Sequence, residues 1–155
     1  MGRIGAGGFT LVEILLGVAA GAIGLAATMA IPAYKDHGVR AQVNDLVIAA
    51  AKCRNAVTEY YTINGRFPDS ARSAGCPDNV PPNDNPLAVY EGEILVQAVG
   101  PLAQQLGKKN MFAFRAVCAG GSCEGAPIQA WSCSSTGQVA SSTTIPEKYL
   151  PSSCR

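Results

Sequence analysis

Hydrophobic residues fill one stretch of the chain almost without a break. They fall on one helical stripe over the next stretch and cluster in short bursts over the rest. From Phe9 to Ile31, Glu13 is the only charged residue. Such a run meets the roughly 20 apolar residues needed to cross a bilayer, and it predicts a hydrophobic transmembrane helix over residues 9–33. After Pro32 the pattern changes. At about 100° per residue, Val39, Val43, Leu46, Val47, Ala50, Cys53, Val57 and Tyr61 share one stripe, and Asn44, Asp45, Lys52, Asn55 and Glu59 lie opposite. This predicts an amphipathic helix over residues 34–63, ended by Asn64-Gly65 and Phe67-Pro68. The two segments together predict one helix of about 50 residues, on the order of 80 Å long. That length is odd for a lone globular protein and natural for a subunit that packs its tail into a bundle.

From Gly65 to Leu87 the chain is rich in Pro, Gly, Asn, Asp and Ser, and it reads as an irregular connecting loop. Ile94–Val99, Met111–Val117 and Ile128–Ser132 read as strands. Pro101–Leu106 fits either a short helical turn or a loop. A few strands covering one amphipathic helix make an α+β unit, here a long N-terminal helix packed on a small antiparallel β-sheet.

The chain has 155 residues, room for one ordinary domain. At 48% hydrophobic and 15% charged it is not a disordered chain, and its net charge of +1 gives no basic field for nucleic acid. One histidine, His37, argues against imidazole metal sites and Ser-His-Asp hydrolysis; it reads as a solvated residue. No nucleophile–base pair, phosphate loop or cofactor motif stands out, so neither an enzyme nor a cofactor is expected. Six cysteines without a C-x2-C pair argue against zinc and thioredoxin-like chemistry and for an oxidising compartment. The head region is small enough to need staples. Cys133 with Cys154 would close a C-terminal loop, Cys118 with Cys123 a tight connection, and Cys53 with Cys76 would pin loop to helix. Six cysteines allow many other pairings, which spacing leaves open.

Three readings compete for the first segment. One is a cleaved secretory signal, with Ala20-Gly21-Ala22 as its site; Glu13 and the long apolar continuation oppose it. The second is a plain membrane anchor with Arg3 on the cytoplasmic side. It leaves Glu13 unexplained, because a carboxylate in hydrocarbon is costly unless paired. The third is a resemblance. Gly8-Phe9-Thr10-Leu11-Val12-Glu13, followed at once by the apolar run, resembles the processing signature of type IV prepilins.

That resemblance implies a leader over residues 1–8, cut between Gly8 and Phe9 by a prepilin peptidase that also N-methylates Phe9. It implies that Glu13 serves assembly by pairing with the new amine of a neighbouring subunit. Gly24 and Pro32 match the family's site of local helix melting, although the stretch from Glu13 to Gly24 is slightly longer than the family's. Thr58-Glu59-Tyr60-Tyr61 running into Asn64-Gly65-Arg66-Phe67-Pro68 is similar to the helix-to-loop junction of type IVa major pilins. Ile145 to Arg155 is similar to their C-terminal loop, and Cys133 and Cys154 match the pair that brackets the receptor-binding D-region, here residues 133–154. The implied fold is the type IV pilin fold, with a head over residues 64–155, an αβ-loop over 64–90 and a disulfide-closed C-terminal loop.

The implied function is that of a major pilin. The precursor would sit in the inner membrane with a cytoplasmic N-terminus and a periplasmic head, and the pilus assembly machinery would polymerise it with identical subunits into an extracellular pilus. Adhesion, twitching motility or DNA uptake would follow, with a surface receptor or DNA as partner. The alternatives are a minor pilin, a type II secretion pseudopilin, and a stand-alone membrane-anchored adhesion module. The tail carries only Glu147 as an acid, which is a poor cage for the calcium that pseudopilins often bind there. Trp131 could support a ligand loop in the adhesion reading, but it reads first as core.

Overall fold

The computed structural model describes residues 11–137 and 139–155, the side chains of residues 13, 14 and 16–33 excepted. Helix α1 runs Leu11–Asn64. The chain divides into two units, Met1–His37 and Gly38–Arg155, and each is described by itself. In the first unit α1 is helical from Leu11, and Leu11, Val12 and Leu15 are exposed. Among the described residues no helix is long and apolar enough to cross a membrane. Of the expected span over residues 9–33, residues 9 and 10 and most of the side chains fall outside the described set.

In the second unit α1 buries the stripe read from its periodicity. Val39, Val43, Leu46, Ala50, Cys53, Val57 and Tyr61 are all buried, and Val47 packs against them half-buried. The helix ends at Gly65, whose left-handed φ of 68° lets its N–H reach the Tyr61 carbonyl at 2.8 Å. Any side chain at that backbone angle would be strained.

Five antiparallel strands form one sheet in chain order: β1 (Asn79–Val80), β2 (Asn85–Tyr90), β3 (Glu93–Gln97), β4 (Met111–Cys118) and β5 (Ile128–Ser132). Leu87, Val89, Ile94, Val96, Phe112 and Phe114 pack with the α1 stripe in one core. The β2–β3 turn is two residues, Glu91 and Gly92, both at positive φ (47° and 78°), which matches the right-handed twist of a tight hairpin. A Cβ on Gly92 would lie 2.7 Å from the Phe67 ring, so that close approach also requires glycine.

The expectation of an irregular loop from Gly65 to Leu87 is corrected. Strand β1 lies within that stretch and β2 begins in it. Asn85 and Pro86 open β2 with turn-type residues and conceal the alternation that follows, in which Leu87 and Val89 are buried while Ala88 and Tyr90 are exposed. Asn85 is itself buried, donating through its amide to the Val80 carbonyl and accepting from the Val99 N–H. The ambiguous Pro101 stretch is a helix, α2 (Gly100–Leu106), with Pro101 near its start and Leu102 and Leu106 in the core. β3 begins one residue earlier and ends two residues earlier than expected, whereas β5 matches its expected bounds.

β5 pairs only with Arg115–Cys118 of β4. The rest of that edge is taken by the C-terminal segment. Thr144 and Ile145 donate their N–H groups to the Met111 carbonyl, and the Thr143 hydroxyl both accepts from the Ala113 N–H and donates to its carbonyl, each at 3.0 Å. An edge that would otherwise offer unpaired backbone groups is thereby covered.

Candidate assembly surface and C-terminal loop

The predicted functional residues fall into two sets. Gly8 and Phe9 lie outside the described residues. Glu13, Gly24 and Pro32 are helical positions of α1, and their side chains lie outside the described set. The described structure therefore does not bring the cleavage, methylation and assembly residues together. The six cysteines and the head residues other than residue 138 are described.

Cys53 joins Cys76, Cys118 joins Cys123 and Cys133 joins Cys154, with Cα separations of 5.4, 5.0 and 4.9 Å. Each bridge fixes a different element. The first holds the loop after α1 against the helix stripe. The second closes the β4–β5 connection, where the Tyr61 hydroxyl sits against the carbonyls of Cys123 and Ala126. The third ties the end of β5 to the last residues, between which Glu147–Tyr149 and Ser152–Cys154 form 3-10 turns. Ile145 and Leu150 point from this loop into the core. Trp131 is half-buried and packs against the core rather than sitting wholly within it.

A carboxylate anchors the loop from the sheet. Glu93, buried at the start of β3, accepts from the Ser142 N–H at 2.5 Å and from its hydroxyl at 2.8 Å, and it pairs with Arg115 across the strands at 3.3 Å. Sequence reasoning passed over Glu93. Its one signal was an acid placed directly before the apolar run Ile94-Leu95-Val96. Ser141 and Thr143 are buried as well, and their hydroxyls lie 2.9 Å apart.

Among the described residues no group of His, Cys, Asp or Glu side chains could hold a metal ion, and all six cysteines are bridged. His37 is exposed. The surface instead carries grooves and exposed apolar side chains. One groove of about 470 Å³ runs between α1 and the segment after Cys76; the half-exposed Ile48 lies in it with Val80, Pro81 and Pro82. Tyr90 is exposed next to Glu91, and hydrogen bonding to that carboxylate, aided by its charge, raises the phenol pKa above its ordinary value.

Residues 39–155 match the family of pilins, bacterial filament proteins. The chain belongs to the pilin family. This pilin is 30% identical over 157 residues to a type IV major pilin protein PilE1 of Neisseria gonorrhoeae, a match covering 96% of this chain and 93% of that protein. It is 29% identical over 154 residues to the fimbrial protein EcpC of Eikenella corrodens, covering 96% and 90%. A fimbrial protein of Neisseria meningitidis is 43% identical over 68 residues, covering 44% of this pilin and 39% of that protein. The five-stranded antiparallel sheet on a long helix, with its disulfide-closed C-terminal loop, is the type IV pilin fold expected from the sequence.

Proposed function

We propose that this pilin is the major structural subunit of a type IV pilus and not an enzyme. A prepilin peptidase removes residues 1–8 and methylates the new amine of Phe9. The precursor waits in the inner membrane with its N-terminus cytoplasmic and its head periplasmic. The pilus machinery then adds it to identical copies in an extracellular filament. Exchanging lipid for neighbouring helices costs little hydrophobic free energy, because both surroundings are apolar.

Within that filament Glu13 neutralises the Phe9 amine of a neighbour. The pairing removes two charges from an apolar surrounding and sets the axial register of the helices. Gly24 and Pro32 are weak points for an isolated helix, and α1 loosens between them on assembly. Adhesion, twitching motility or DNA uptake is the service of the finished fibre, with a surface receptor or DNA as its outside partner.

The observation that carries this reading is the near full-length similarity to type IV major pilins. The Cys133–Cys154 loop favours a pilin over a secretion pseudopilin. The test is N-terminal sequencing of subunits sheared from the cell surface, together with electron microscopy of the sheared material. Mature chains should begin at N-methylated Phe9 and form filaments. A start at Met1 or at Ile23, or an absence of filaments, would refute the proposal.

A further inference from the structure

Two cavities at opposite ends of the head are lined by charged side chains of opposite net sign. The first, of about 240 Å³, lies where the early turns of the amphipathic segment meet the C-terminal turns. Its charged side chains are Arg40 and Arg155, flanked by Asn44 and Tyr149, and no carboxylate side chain lines it. Arg155 is held in place by its Nε–H, which donates to the Leu150 carbonyl at 3.0 Å.

The second cavity, of about 560 Å³, lies at the far end of the same helix beside Tyr61 and Gly65. Asp69, Glu91, Glu124 and Arg66 are its charged lining. Arg66 pairs with Asp69 at 3.6 Å, so Glu91 and Glu124 are the charges that this arginine does not offset. Tyr90 lies beside Glu91 in the same lining.

From Arg40 to Tyr61 the helix advances about 30 Å at roughly 1.5 Å per residue. One copy therefore cannot bring its own two ends together. We propose that the Arg40–Arg155 end of one head receives the Glu91–Glu124 end of a second copy, a head-to-tail contact between pilins. The contact rests on the filament reading and adds to it. An antiparallel pair using the same residues would close on itself. Copies that share one direction, as in a filament, leave a free end for the next subunit.

A single exposed ion pair contributes little. A repeated array that also rejects wrong registers contributes more, because like charges placed face to face cost several kcal/mol. The contact is accordingly sensitive to salt.

The test uses the full chain in assembled filaments. Arg40→Lys keeps the charge and makes position 40 reactive. Carbodiimide treatment of those filaments followed by peptide mapping should yield an amide link from position 40 of one copy to Glu91 or Glu124 of another. In parallel, Arg40→Glu with Arg155→Glu should lower sheared filament yield ~10-fold or more, and adding Glu91→Arg with Glu124→Arg should restore it. Wild-type filaments accompanied by links only to other carboxylates, or by charge reversals that change nothing, would overturn the contact and leave the filament reading standing. A wild-type chain that keeps Met1 and builds no filament would overturn both.

Discussion

Glu93 and Ser142 lie 49 residues apart in the chain and meet through two hydrogen bonds, the serine N–H at 2.5 Å and its hydroxyl at 2.8 Å from the same carboxylate. This places the start of β3 under the C-terminal loop. Glu93→Ala removes the shared acceptor and leaves Ser142 and Arg115 without their partner. We expect a loss of about 2 kcal/mol in unfolding free energy. Amide exchange should also quicken at Ser142 to Thr144, where Ser142 loses its acceptor and the neighbouring residues lose their anchor. Denaturant titration and hydrogen exchange measure the two effects. Unchanged exchange at Ser142 would show that the carboxylate does not hold the loop.

The Cys133–Cys154 bridge closes the same loop covalently. Replacing both cysteines by serine frees the unfolded chain and should cost about 3 kcal/mol on the loop-entropy argument. The β4 edge at Met111 and Ala113 should then gain solvent exchange, because the segment that covers it is no longer tied. Thermal unfolding of the double variant beside the wild type gives the number.

Leu46 and Ile48 are two residues apart on α1 and differ in fate. Leu46 has no exposed surface, whereas Ile48 is 48% exposed in the groove beside Val80. Leu46→Ala should cost roughly 2–5 kcal/mol. Ile48→Ala should cost about 0.5 kcal/mol or less in the isolated subunit. Equal losses measured by chemical denaturation would contradict the burial assigned to the stripe.

Gly92 is held at φ 78° with the Phe67 ring over it. Gly92→Ala meets both a strained backbone and a Cβ 2.7 Å from that ring. The expected penalty is about 1–3 kcal/mol. Combining it with Phe67→Ala removes the clash but not the strained angle. The Gly92→Ala cost measured in the Phe67→Ala background should therefore be smaller than in wild type but not zero. A full cost in that background would place the whole penalty in the backbone.

Glu13→Ala tests assembly rather than stability. The variant should enter the membrane and be processed as the wild type is, because removing a charge from an apolar helix does not oppose insertion. Sheared filament yield should fall sharply. Immunoblots of membrane and sheared fractions separate the two steps, and full assembly by the variant would remove Glu13 from the mechanism.

The amphipathic half of α1 was legible in the chain itself because helical periodicity is local. Val39 through Tyr61 repeat at the helical spacing whatever they pack against, and every residue of that stripe is buried or half-buried in the fold. β4 and β5 were legible for the same reason, each as a short apolar run. β2 was not, because Asn85 and Pro86 are turn residues by type, and Asn85 is tolerated in the core only once Val80 and Val99 satisfy its amide. The anchoring of Ser142 by Glu93, the covering of the Met111 edge by Thr144, and the separation of Arg40 and Arg155 from Glu91 and Glu124 are likewise absent from any local pattern. These relations join residues tens of positions apart, and only the folded chain, by closing those distances, decides which polar groups meet and which charges stay apart.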